Sequence, residues 1–133
     1  MPPKCRVLLV DDHAQMRKAL HDVLSAHADI EIIDDAADGR EAVEMAADCK
    51  PDVVLLDKTM PKMNGIEAAV AIKKERTETV IIGLCTTDDA YTVEAFMKAG
   101  AAAVVNKDRV DELYPTIQGV WVRKEESAFP GNG

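Results

Sequence analysis

Three acids and one lysine in this sequence stand where short apolar runs end. Asp57 closes Val53-Val54-Leu55-Leu56, Asp11 and Asp12 follow the run from Arg6 to Val10, and Lys107 follows Ala102 to Asn106. An apolar run rich in β-branched residues reads as a strand covered on both faces, so each of these charges sits at a strand's carboxyl end. In an open parallel sheet, ligands bind in the crevice beyond those ends. Two carboxylates about 5 Å apart repel by about 3 kcal/mol at an effective dielectric of about 20, so a cluster of three needs a cation. Oxygen ligands with room for water suit Mg²⁺ rather than zinc, which would prefer His or Cys. His13 lies beside the acids, but it opens a helix and is read as a helix-start residue rather than a ligand. A magnesium ion held by Asp11 and Asp12, beside a third acid and a lysine, is the equipment for phosphoryl transfer. Asp57 is then the nucleophile and Lys107 the cation opposite. Plainer readings of the same letters are a solvated loop acid at 57, a surface lysine at 107 and a helix N-cap pair at 11 and 12.

The elements that hold these residues follow from periodicity. After the first strand, Met16, Ala19, Leu20, Val23 and Leu24 recur at three and four, one face of a helix from His13 to Ala26. Ile30 to Asp34 alternates as a second strand, and Asp38 caps a helix with Ala42, Val43 and Ala46 inward. Lys50-Pro51 ends that unit, and the strand from Val53 to Asp57 follows. Met60-Pro61 forbids its continuation, and Asn64-Gly65 supplies the turn into a helix from about Ile66 to Arg76, with Ile66, Ala69 and Val70 facing inward. Thr79 to Cys85 is the fourth strand. Asp88 or Asp89 opens a helix that ends near Gly100, a left-handed C-cap, and Ala102 to Asn106 is the fifth strand. A last helix runs from Arg109 toward Gln118, with Pro115 expected to kink it or end it early. Five strands alternating with five helices imply an α/β fold: a doubly wound parallel sheet with helices on both faces. With the first strand central, the ends of the first and third strands are neighbours, and Asp11, Asp12 and Asp57 converge there under Lys107.

At 133 residues and 47% hydrophobic, the chain reads as one domain over residues 1–120, with 121–133 a polar tail or linker stub. Its net charge of −8 argues against direct binding to nucleic acid or anionic lipid. No apolar run approaches the roughly 20 residues of a membrane span, and the N-terminus lacks a signal peptide's apolar core, so a cytoplasmic protein is expected. Cys5, Cys49 and Cys85 are odd in number, widely spaced and without a zinc pattern, which points to thiols in a reducing compartment.

Taken together, these residues resemble the receiver domain of two-component response regulators, from Arg6 to about Gln118. The motifs are the Asp11-Asp12 pair after the first strand, D-x-x-M-P-x-M-N-G from Asp57 to Gly65, and G-A-x-x-x-x-x-K from Gly100 to Lys107. Asp11-Asp12-His13 and Lys107-Asp108 look most like the subgroup with a C-terminal helix-turn-helix, for which the residues after Gln118 are too few. The resemblance implies a five-stranded flavodoxin-like sheet of order 2-1-3-4-5. It implies that Asp57 accepts a phosphoryl group from a sensor histidine kinase or phosphotransfer protein, in a step the domain itself assists without being a turnover enzyme. It further implies that Asp11, Asp12, Asp57 and the backbone carbonyl of Thr59 hold Mg²⁺, that Lys107 pairs with the phosphate, and that the docking surface changes. A homodimer is left open.

Three positions depart from the family pattern. The hydroxyl that grips the phosphate after the fourth strand falls, by the family's spacing, on Cys85, with Thr86 one place later. A thiol is a weak donor, and a charge-assisted hydroxyl bond is worth about 1.5 to 3 kcal/mol, so coupling weakens unless Thr86 reaches in. Val104 stands where the family has a switching aromatic ring, and Lys58 follows Asp57 where an apolar residue is common. Lys58 is expected to point to solvent. These departures motivate a second reading, a receiver-like interaction module independent of phosphorylation. A third, an enzyme with a phosphoaspartate intermediate, is suggested by Asp57-Lys58-Thr59 and broken by Met60-Pro61.

Overall fold

The computed structural model describes residues 4–86 and 89–128, with 122–128 described by backbone alone. The elements run β1 (Cys5–Val10), α1 (Ala14–Ser25), β2 (Ile30–Ala36), α2 (Gly39–Cys49), β3 (Val53–Asp57), α3 (Gly65–Glu75), β4 (Val80–Cys85), α4 (Ala90–Lys98), β5 (Ala103–Asn106), a 3₁₀ turn (Val110–Glu112) and α5 (Leu113–Ala128). All strands pair in parallel in the order β2-β1-β3-β4-β5, as expected.

Strand alternation divides the core in two. Leu8, Val10, Val54, Leu56 and Ile81 pack against Ala42, Ala46, Ala68, Ala69, Ile72 and Phe96, so α2, α3 and α4 cover this face. Val7, Leu9, Val53, Leu55, Ile82 and Leu84 pack against Leu20, Leu24, Leu113 and Ile117, so α1 and α5 cover the other. All five residues of β3 are buried, which explains their unbroken apolar run before Asp57.

The helix starts carry their own instructions. Asp38 caps α2 by accepting from the Glu41 backbone N–H, and Asn64 forms a capping box with Glu67. Gly65 is required because a Cβ there would run into the Asp57 carbonyl, so α3 can begin directly against the end of β3. Asp89 caps α4, and Gly100 follows that helix at φ 107°. The alternative cap, Asp88, lies outside the described residues.

Three sequence expectations fail for identifiable reasons. Ala19 is exposed, and Val70 is 52% exposed, because the buried stripes run through Leu20 and Leu24 on α1 and through Ala68, Ala69 and Ile72 on α3. Pro115 does not end its helix. It falls in the first turn of α5, directly after the 3₁₀ turn, where its missing N–H has no partner to lose, and the helix continues to Ala128, into the segment expected to be a tail. Among the described residues, no helix is long and apolar enough to cross a membrane.

Candidate functional site

The parallel pairing of β1 with β3 puts Val10 opposite Leu56, so the residues that leave these two strands emerge side by side. One ligand atom from each of Asp11, Asp12, His13 and Asp57 lies within 4.8 Å of all the others. The convergence expected of the acids is therefore met, and His13 joins them. Asp11 and Asp57 are buried, whereas the His13 side chain is 71% exposed.

Asp11 is held from several sides. Its Oδ1 accepts from the His13 backbone N–H at 2.8 Å, while its backbone carbonyl accepts from Arg17 Nη1 at 2.6 Å. His13, rather than either acid, is the N-cap residue of α1, and its side chain makes no cap hydrogen bond. Its Nδ1 instead lies 3.2 Å from Asp11 Oδ1 and 3.0 Å from Asp12 Oδ1. Arg17 escaped the sequence reading, although its place one turn into a helix that follows two acids was a usable signal.

Lys107 closes the cluster. Asn106 of β5 pairs with Cys85 of β4, and the Lys107 backbone N–H then donates to the Cys85 carbonyl at 2.8 Å, which fixes where the side chain begins. Its Nζ reaches Asp11 Oδ2 at 2.7 Å and Asp57 Oδ1 at 2.9 Å. Burial alone would lower this ammonium's pKa, but hydrogen bonds to Asp11 and Asp57 outweigh it and hold the group above its ordinary value. Burial pushes Asp57 above its ordinary value. The hydrogen bond from Lys107 opposes that push, and the Asp11 charge adds to it.

The set fits a hard divalent cation. Among the described residues Asp57 Oδ2 is buried without a hydrogen-bond partner, the Lys107 ammonium reaches two of the three carboxylates, and the carboxylate oxygens already approach one another. Beside them lies a cavity of about 260 Å³ lined by His13, Asp57, Lys58, Thr59, Cys85, Thr86 and Lys107. A larger hollow of about 430 Å³, between α1 and β2, holds none of the three acids and not Lys107. Cys85 is buried in the wall of the smaller cavity and Thr86 is exposed at it, while Val104 packs half-buried against the core beneath.

Lys58 does not point into solvent. It is half-buried, and its Nζ donates to Thr92 Oγ1 on α4 at 2.9 Å. No sequence rule ties residues so far apart, although the cap Asp89 with its hydroxyl residue three places on was legible.

The arrangement can be compared with known proteins. The family model described as response regulator receiver domain matches residues 7–118. A protein-glutamate methylesterase/protein-glutamine glutaminase of Rhodopseudomonas palustris is 41% identical over 118 residues, covering 87% of this chain and 32% of that protein. The chain spans about a third of the length of such curated relatives. The signal receiver domain described for NarL of Mycobacterium tuberculosis superposes with a TM-score of 0.85 at 30% identity, covering 90% of this chain and 98% of that one. The CheX–CheY–BeF₃–Mg complex of Borrelia burgdorferi gives 0.82 at 29% identity, covering 87% and 88%.

Proposed function

The chain belongs to the response regulator receiver domain family, and from that premise we propose that Asp57 is the phosphoacceptor of a phosphorylation-dependent signalling switch. The donor is a phosphohistidine on a sensor histidine kinase or phosphotransfer protein. An Asp57 carboxylate oxygen attacks the phosphorus, and the O–P bond forms as the P–N bond breaks and the imidazole departs with its electron pair. Lys107, already 2.9 Å from Asp57, stays beside the reacting carboxylate and pairs with the phosphoryl oxygens. Cys85 and Thr86 form the cavity wall against that group.

Asp11, Asp12, Asp57 and the Thr59 backbone carbonyl would hold Mg²⁺, which when bound neutralises charge on the phosphoryl oxygens. The BeF₃ and Mg²⁺ named for the Borrelia burgdorferi complex support this assignment by likeness. Esterification replaces the carboxylate with a phosphoryl group carrying about 1.5 to 2 negative charges and new acceptor oxygens, enough to draw neighbouring loops inward and alter the surface around α4 and β5. The methylesterase and glutaminase activities named for the relatives describe proteins about three times this chain's length. We assign this chain the phosphoacceptor role, in the cytoplasm, with residues 1–120 as its core unit and 121–133 leading out of it.

The bridge from Lys107 to both Asp11 and Asp57 carries the reading, because it joins three strand ends in one ionic cluster. Intact mass after incubation with Mg²⁺ and phosphoramidate tests it. One phosphoryl group on the parent and none on Asp57→Asn is expected. Equal labelling of the two, or none on either, would overturn it.

A further inference from the structure

Lys58 is unaccounted for by the acid cluster, yet it touches both the cavity and a helix. Alternation along β3 sends Val54 and Leu56 toward the α2, α3 and α4 face, and Lys58 continues that series while Asp57 belongs to the other. Its backbone is pinned on both sides, its N–H donating to the Leu84 carbonyl at 3.0 Å and its carbonyl accepting from the Gly65 N–H at 2.8 Å. From that fixed base the side chain lines the cavity beside Asp57 and ends on Thr92 Oγ1.

Thr92 is 1% exposed and sits in the first turn of α4. Its hydroxyl accepts from Lys58 and donates to Asp89 Oδ2 at 3.1 Å, while its backbone N–H donates to Asp89 Oδ1 at 2.7 Å. The cation beside the phosphoacceptor is thus tied to the residues that cap α4. A single hydrogen-bonded chain runs from the cavity to a helix end.

We infer that Lys58 is a positioning residue that carries the phosphorylation state of Asp57 to α4, in a chain whose Cys85 and Val104 replace the hydroxyl and ring that its family uses. This inference rests on Asp57 being the phosphoacceptor. An ammonium bonds more strongly to a phosphoryl oxygen than to a neutral hydroxyl. Esterification of Asp57 therefore draws Lys58 Nζ away from Thr92. The buried hydroxyl then lacks one of its partners, which disfavours the present seat of the first turn of α4. Tyr91, 85% exposed on that turn, would move with it and alter the outer surface.

The test compares the parent with Lys58→Met, Lys58→Arg and Thr92→Val, each labelled with phosphoramidate and Mg²⁺. Intact mass gives the extent of phosphorylation, and backbone amide NMR shifts at Tyr91, Thr92 and Val93 give the response of α4. We expect the parent to show large shifts on phosphorylation. Lys58→Met and Thr92→Val should lose most of them at equal labelling and start displaced toward the phosphorylated positions, while Lys58→Arg keeps the response. Labelled Lys58→Met with shifts matching the labelled parent would overturn this inference and leave the phosphoacceptor reading intact. A parent that takes no phosphoryl group would overturn both.

Discussion

At the scale of single residues, Asp57 is a group that folding has left in a poor place for a charge. Its pKa stands above the ordinary value of 3.8, chiefly through burial, so between the unfolded and folded values the native state holds a proton that the unfolded state has released. Stability therefore falls as pH rises through that window. Asp57→Asn removes the loss, and without Mg²⁺ its thermal midpoint at pH 7 should exceed the parent's by a few degrees, with a flatter acid-side profile in a pH series of melts. Lys107 has the opposite sense. Its pKa is raised above 10.5, so its stabilising contribution is complete below that value and disappears as pH climbs through the folded one. Lys107→Met leaves Asp11 and Asp57 buried without their counter-charge and should cost about 3 kcal/mol in urea melts without Mg²⁺, part of it recovered on adding the ion. The acids and this lysine were readable in the sequence because each ends an apolar run. The partner of Lys58 was not, because it depends on where a distant helix lies.

At the scale of elements, the apolar runs located every strand to within a residue or two, β2 being the longest extension, since Asp34 and Asp35 still pair with β1 beyond a register shift after Val7. Helix faces were less legible. Alanine and valine at three-and-four spacing do not decide between adjoining stripes, and Ala19 and Val70 fell on the wet side. Pro115 was misjudged because its cost depends on distance from the helix start, which a 3₁₀ turn had moved. The seat of α4 depends on a close approach at β4. A Cβ on Gly83 would lie 2.7 Å from the fully buried ring of Phe96, so Gly83→Ala should destabilise the fold by about 1 to 3 kcal/mol. Urea denaturation checks this through a lower midpoint at unchanged slope.

At the scale of the whole molecule, a chain with a net charge of −8 gathers three carboxylates at the carboxyl ends of its strands, where Lys107 reaches two of them. A cation that binds only the folded form stabilises it by mass action, by about 2.7 kcal/mol at a concentration of about 100 Kd. Mg²⁺ should raise the parent's thermal midpoint, EDTA should reverse the gain, and Asp11→Asn should abolish most of it. The class of fold was legible because alternation of strand and helix leaves few topologies, whereas the strand order came from likeness to a family rather than from any residue. The register of β1 against β3 has a further consequence, for how the protein acquires its structure. Asp11 and Asp57 become neighbours only once the whole helix–strand–helix excursion through α1, β2 and α2 has closed and β3 has docked beside β1, an entropically slow, non-local event. Any ion-induced signal in a refolding trace must then trail the early local phases, and fragments ending before β3 would be blind to magnesium.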